Sequence, residues 1–499
     1  MYYTSEYEGK QGIRVSDITP NSALPRMGLA LALVPIALLV GLLAAAVATF
    51  GDETTGGPAQ IALISCGMVA ALIGHRKGLA WRTLEKAAVQ SISRALVAIL
   101  ILLAVGALIG VWLAAGIIPT IIYYGSVVLN PSIFYVATLV LCAVVSVSIG
   151  SSWTTAGTIG VALIGLSAAM GLSVEMTAGA IISGAYFGDK LSPLSDTTNL
   201  ASGLSGTDLF KHIGFLLWTT VPAFLVALVF FTAVTFTMDG VAQESEMDML
   251  RATIASTFAI HPLLFLPLLA MLVMGVKRIP AFVAIFMSTV IGALLGAFFQ
   301  DAAGDAGGIL AQAETYWLVA ASGYTAASGD AVLDDLLSGG GMGSMLTTIW
   351  LIVSAMFFSG MLERSGILRT ILESIISRLK SPGALVAGTG LTALTTNAVA
   401  SDQYLSIVLT SRMYAEEYRK KGLDPVNLSR AVEDSGTVTS ALVPWNTCGA
   451  FMAATLGVPT FAYLPFCIFN LASPVIAMIY AATGFKIIKA EPPPEPAAA

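Results

Sequence analysis

Charge is scarce in this chain. Only 11% of its 499 residues are Asp, Glu, Lys or Arg, against about 25% in a soluble domain, and the mean hydropathy is +0.84. That excludes an ordinary soluble fold and marks a polytopic membrane protein in a lipid bilayer. Histidine is scarcer still. His75, His212 and His261 are the only three; they sit near the edges of apolar tracts and form no HExxH or other ligand spacing, so no metalloenzyme chemistry is assigned. No GxxxxGK[ST] loop is present, which argues against ATP-driven transport by this chain alone. No nucleophile–base motif points to an enzyme, and no basic, aromatic-rich patch suits nucleic acid. The four cysteines, Cys66, Cys142, Cys448 and Cys467, lie in apolar tracts without a CxxC pair, and read as small core residues. Residues 1–26 are polar and lack an h-region, so no cleavable signal peptide is expected. The Pro-rich tail after Lys489 reads as disordered. The net charge of −6 says little, because placement matters more than the sum.

Apolar tracts run at 27–49, 59–75, 95–117, 131–170, 174–203, 210–237, 260–276, 280–299, 345–362, 382–410, 428–455 and 461–485. A helical span needs about 20 residues. With the N-terminus inside, and 131–170 and 382–410 treated as hairpins that return to their own side, the inside segments hold 22 of the 24 Lys and Arg residues. Arg251 alone lies outside and Lys190 lies in the membrane, the bias that the positive-inside rule demands. Ten spans and two re-entrant hairpins result, an all-α architecture of two inverted repeats with discontinuous helices. The expected organisation is a cytoplasmic segment 1–26, a first repeat 27–237, an external loop 238–259, a second repeat 260–485 containing an external loop 300–344, and a cytoplasmic tail 486–499. Basic amphipathic stretches, Trp81 to Arg94 and Ile367 to Lys380, occur once in each half. The GxxxG pairs Gly106/Gly110 and Gly292/Gly296 read as packing faces, inside the chain or in a homodimer.

Against this apolar background, Gly184 to Ser202 reads GAYFGDKLSPLSDTTNLAS. Charges at membrane depth cost about 2.5–3.5 kcal/mol each on insertion scales and are rarely kept without a task. Pro193 removes a backbone hydrogen bond and frees carbonyls to face a ligand. The tract reads as a broken helix that binds an ion. Asp189, Asp196, Ser192, Thr197, Thr198 and Asn199 offer the carboxylate, hydroxyl and amide oxygens that a dehydrated Na+ needs; Asp189, Asp196, Thr198 and Asn199 are the expected ligand set. Lys190 either pairs with Asp189 or neutralises a carboxylate when the ion is absent. A second polar set follows the second hairpin. Asp434 is a candidate for coupling, with Thr437 and Asn446 beside it, although acids are also favoured in the first turn of a helix by its dipole; Glu433 is the weaker of the pair. Asp402 and Asn397 lie at the second hairpin tip. Ser152, Thr154 and Thr155 lie at the first, where they serve as caps, as ligands or as both. No arginine falls inside a clear-cut membrane tract, which slightly disfavours a dicarboxylate cargo.

At these residues the chain resembles the NhaC family of sodium/proton antiporters. The resemblance is carried by the Gly184–Ser202 tract, by SIGSSWTTAGTIG (Ser148 to Gly160) and by EDSGTVTSALVPWNTCGA (Glu433 to Ala450), and it extends from Met27 to about Phe485. It implies Na+ export driven by H+ entry across a prokaryotic cytoplasmic membrane, with both termini cytoplasmic, no cofactor, and Na+ and H+ as transported ions. It leaves open a second cargo class, because relatives in the family exchange malate for lactate or carry amino acids. A passive channel suits buried charges at broken helices less well than alternating access does.

Overall fold

A computed structural model describes residues 27–128, 130–236, 244–300, 309–327, 337–376 and 378–490, together with Pro25 and Asp334. The expected N-terminal segment, parts of both external loops and the tail after 490 lie outside the described residues. Within them the chain is almost wholly helical. Eight helices are long and apolar enough to cross a membrane, or ten if each of two bent pairs counts as one. Their outward faces carry Leu, Val and Phe side chains that are solvent-accessible in an isolated chain, as a lipid-facing surface requires. This is a multi-pass membrane protein.

The tract 131–170 folds as two helices, Pro131–Ile149 and Ser152–Ala169, separated by Gly150 at φ 77°. Glycine is needed there: a Cβ would lie 2.6 Å from the Leu194 side chain and 2.7 Å from its carbonyl carbon. The next helix, Val174–Leu191, runs parallel to Pro131–Ile149. Contacts advance together along both, from Gly184 against Leu139 to Gly188 against Ala143, then Ser192 Oγ donating to Val147 O at 2.8 Å. Parallel neighbours force Ser152–Ala169 to return between them, so the tract is a hairpin whose ends share a side. Small residues make the seam: a Cβ on Gly184 would meet Leu139 O at 2.3 Å, and one on Gly188 would meet Ala143 O at 2.5 Å.

The second hairpin is built from Pro382–Ala400 and Gln403–Lys420. Its arms are antiparallel, with Tyr414 meeting Thr392 and Tyr418 meeting Thr389. Lys421 Nζ donates to Lys380 O at 2.7 Å, so its two ends meet. The returning arm continues to Lys420, past the boundary at 410 read from hydropathy, because amphipathic residues extend the helix beyond the apolar run. Basic groups gather at this end: Lys211 bridges Asp424 at 2.7 Å, and Asp424 N–H donates to Ile488 O.

Further helices appear where hydropathy gave none: Ile117–Val128, Glu244–Thr257 and Ile309–Ser322. The first is apolar but only 12 residues long, too short to read as a span. Both GxxxG pairs pack within the chain, Gly106 and Gly110 against Val319, Gly323, Gly341 and Met345, and Gly292 and Gly296 against Trp112, Ala115 and Tyr316.

Candidate functional site

Two helices break at matching places. Val174–Leu191 stops at Ser192 and restarts as Asp196–Ser205, capped by Ser195, whose Oγ accepts the Thr198 N–H. Pro425–Val432 continues through a π turn, Glu433–Thr437, and a 3₁₀ turn, Ser440–Leu442. It restarts as Thr447–Leu456, capped by Asn446, whose side chain accepts the Cys448 N–H at 3.0 Å. π turns recur at functional positions because the extra residue re-aims side chains. The two broken helices run antiparallel: Tyr186 meets Ser440 while Lys190 meets Asp434.

Each break holds a hairpin tip. At the first, Ser152 donates its N–H (3.1 Å) and its hydroxyl (2.7 Å) to Asp189 Oδ2. Thr198 Oγ1 donates to the carbonyls of Lys190 (3.2 Å) and Asp189 (3.4 Å). Thr154 donates to Ser151 Oγ, and Thr155 donates to Ser151 O, so both finish the turn. Thr197 bonds Ser195, and Ser192 Oγ accepts the Leu194 N–H. The Asn199 amide donates to Pro193 O at 2.9 Å and Ser195 O at 2.7 Å, holding the break itself. Asp196 is solvent-accessible and opens the second segment of the broken helix.

At the second tip Asp402 caps the returning arm, accepting the Leu405 N–H at 2.8 Å. The Asn397 amide donates to Gly436 O and Thr439 Oγ1, and Thr447 N–H donates to Ser401 O at 3.0 Å. The tips are tied together. Trp153 stacks on Phe451 at 4.2 Å, and Gln403 Oε1 accepts from Ser440 Oγ (2.7 Å) and Cys448 Sγ (3.0 Å).

Between the two units lies an ion pair that the sequence did not disclose. Lys190 and Asp434, both with fully buried side chains, share a salt bridge. Thr219 Oγ1 donates to the same carboxylate at 2.8 Å, and Lys190 Nζ also bonds Ser473 Oγ at 3.1 Å. The pairing of Lys190 with Asp189 is therefore not made. Asp434 is not in the first turn of a helix either, because Asp424 caps that helix and Pro425 starts it. Arg430, counted above among inside charges, is 1% exposed. Its Nε lies 4.0 Å from Asp434 Oδ2, and its guanidinium lies 4.4 Å from the Phe215 ring centroid. The absence of arginine from the membrane tracts is thus corrected: the tract drawn from 428 onward contains it, but its place in a polar stretch disguised it as loop. Glu433 and His212 are buried with both side-chain polar atoms unpartnered, and Thr437 Oγ1 likewise. The polar cluster thus spans both broken helices and the crossing helix Leu209–Thr235.

Buried carboxylates at interrupted helices, beside hairpin tips and facing a lysine across an antiparallel interface, are the arrangement of a secondary transporter. Residues 184–485 match the Na+/H+ antiporter family. The chain is 36% identical over 430 residues to the Na+/H+ antiporter NhaC of Alkalihalophilus pseudofirmus, covering 86% of this chain and 91% of that one. It is 38% identical to the malate-2H+/Na+-lactate antiporter of Bacillus subtilis, over 86% and 90% of the two chains. It is 34% identical to the arginine/ornithine antiporter ArcD of Halobacterium salinarum, over 93% and 94%. The chain belongs to the Na+/H+ antiporter family, among its NhaC members.

Proposed function

We propose that this chain exchanges Na+ for H+ across the prokaryotic cytoplasmic membrane by alternating access. The observation that carries the reading is Asp189, a carboxylate buried at a helix break and held by the Ser152 tip, beside the Lys190–Asp434 pair. Na+ would take oxygens from Asp189, Asp196, Thr198 and Asn199, with Ser152 at the tip. Hydroxyls and carboxylates are the ligands a hard cation prefers. Lys190 keeps one carboxylate neutralised while the other is free to trade Na+ for a proton. The repeated plan of hairpin, broken helix and antiparallel sense supports two inverted repeats, in which one unit moves against the other. The basic end, with Lys211, Lys380, Lys421 and Lys486, is assigned to the cytoplasm.

In proteoliposomes, Na+ added outside should raise internal pH as Na+ enters and H+ leaves. A second reading, coupled carriage of an organic acid or amino acid, is favoured by Arg430, whose terminal nitrogens are unpartnered and could receive a carboxylate. An internal pH that ignores Na+ and responds only to malate, lactate or arginine would overturn the first reading in favour of the second.

A further inference from the structure

The polar cluster has an approach that the transport reading does not use. A cavity of ≈ 640 Å³ lies between Pro382–Ala400 and Ile468–Thr483, walled by small residues, among them Gly383, Ala384, Ala387 and Ala481. It begins at Ser381 and Gly484, at the end of the fold where Lys380 and Lys421 meet. Beyond it lies a second, narrow cleft, too tight for a water, lined by Gly390, Arg430, Ala431, Asp434 and Ser435. Met478 borders both and is half-buried. The narrow cleft has an unusual lining. Arg430 Nη1 and Nη2, Asp434 Oδ2 and Ser435 Oγ are all buried there without a hydrogen-bond partner. Buried polar atoms are normally paired with protein or water, and four unpaired ones around one cleft mark a place that water fills when there is room. Met478 stands against this lining. A Cβ on Gly390 would lie 2.8 Å from the Met478 methyl and 2.8 Å from Ser435 Oγ, so the methyl and the hydroxyl close together over the bare glycine.

We propose that Met478 is a gate between this vestibule and a collapsed water chamber, and that the chamber is the route by which protons, rather than Na+, reach the Lys190–Asp434 pair. Methionine suits a gate: it is unbranched, flexible and apolar, so one rotamer seals and another opens. Charge sets the selectivity. The lining carries Arg430 and Asp434, and the terminal nitrogens of Arg430 are unpaired, so a small hydrated cation in the chamber would face a bare guanidinium edge. A proton passes along a water chain without any ion having to enter. Na+ then keeps to Asp189 and Asp196, and the two ions reach the centre by separate paths. The inference rests on the transport reading for its purpose, but its test does not.

The test is thiol labelling of the full chain in which the four native cysteines, all buried and free, are replaced. One cysteine is placed in the vestibule (Ala387→Cys) or in the chamber (Ala431→Cys) and treated with methanethiosulfonates of either charge. With Met478 present, the chamber cysteine should react far more slowly than the vestibule cysteine. Met478→Ala should speed the chamber reaction about tenfold or more by removing the seal, leave the vestibule rate unchanged, and favour the anionic reagent. If Met478→Ala fails to fold, Met478→Val, which keeps an apolar side chain but removes its flexible end, should accelerate the chamber reaction in the same direction. A chamber rate unmoved by either variant, or faster with the cationic reagent, overturns the gate or its selectivity. Protection of the chamber cysteine by malate or lactate would make the cleft an anion site instead. Because labelling needs no transport, loss of Na+-driven flux in proteoliposomes would refute the transport reading separately.

Discussion

Replacing Asp434 by leucine should harm the fold more than replacing its partner Lys190 by methionine. Asp434 is shared: it accepts from Lys190 and from Thr219 at 2.8 Å, with Arg430 Nε at 4.0 Å. Asp434→Leu leaves two fully buried cations without the carboxylate between them, Lys190 keeping only the Ser473 hydroxyl as a bonded partner. Breaking a buried pair so that charge is stranded costs about 3–5 kcal/mol. Lys190→Met leaves one carboxylate and one guanidinium, which need close only from 4.0 Å to make a charge-assisted bond of about 1.5–3 kcal/mol. The loss is then correspondingly smaller. In the double variant the second cation is gone, so Lys190→Met should partly rescue Asp434→Leu. Thermal unfolding in detergent, followed by tryptophan fluorescence, should rank wild type highest, then Lys190→Met, the double variant and Asp434→Leu. Melting of Asp434→Leu at or above Lys190→Met, or a double variant below both singles, would refute the shared-carboxylate reasoning.

Asp189→Asn keeps an acceptor for Ser152 but removes the charge; Na+-driven proton flux should fall at least about tenfold, as a charge kept at membrane depth implies, with little change in Tm. Normal flux in both Asp189→Asn and Asp196→Asn, at matched expression, would move the site to Asp434 and Asp402. Gly188→Ala, whose Cβ would lie 2.5 Å from Ala143 O and Ser146 Cβ, should destabilise by about 1–3 kcal/mol through overpacking. Gly203→Ala, with no heavy atom within 4 Å, should not, and equal melting temperatures for the two would contradict the seam. Single cysteines at Lys380 and Lys421 should react with an impermeant thiol reagent from the cytoplasmic side only, whereas cysteines on the exposed face of 309–322 should react from outside intact cells. Labelling of 380 and 421 from opposite faces would dissolve the second hairpin.

Elements written as local chemistry were legible in advance. The Ser151–Ser152 tip, Pro193 and the Asn446 break all stand in short polar runs between apolar tracts, and the bias of basic residues implied that both hairpins return. What stayed hidden depends on distance along the chain. Lys190 and Asp434 are 244 residues apart, and no periodicity joins them. Arg430 was misplaced because Pro425–Val432 has a polar face that hydropathy reads as loop; that face packs inward on Phe215 and Asp434. His212 likewise sits one turn inside Leu209–Thr235, where composition marks an edge but packing makes a buried ring. A helix as short as Ile117–Val128 lacks the length that hydropathy scanning requires.

Four helix starts meet near the centre of this fold: Ser152, Asp196, Gln403 and Thr447. Each N-terminus carries roughly half a positive charge from its aligned peptide dipoles, so together they supply about two units. Asp189, Asp196 and Asp402 stand among them with no lysine or arginine bonded to their carboxylates. The backbone therefore acts as the counter-charge, and the acids only tip the balance toward cations. A family arranged in this way could change the sign of its cargo without rebuilding the scaffold. Neutralising one or two of these acids would leave the dipoles in surplus, a setting that favours a carboxylate over a cation.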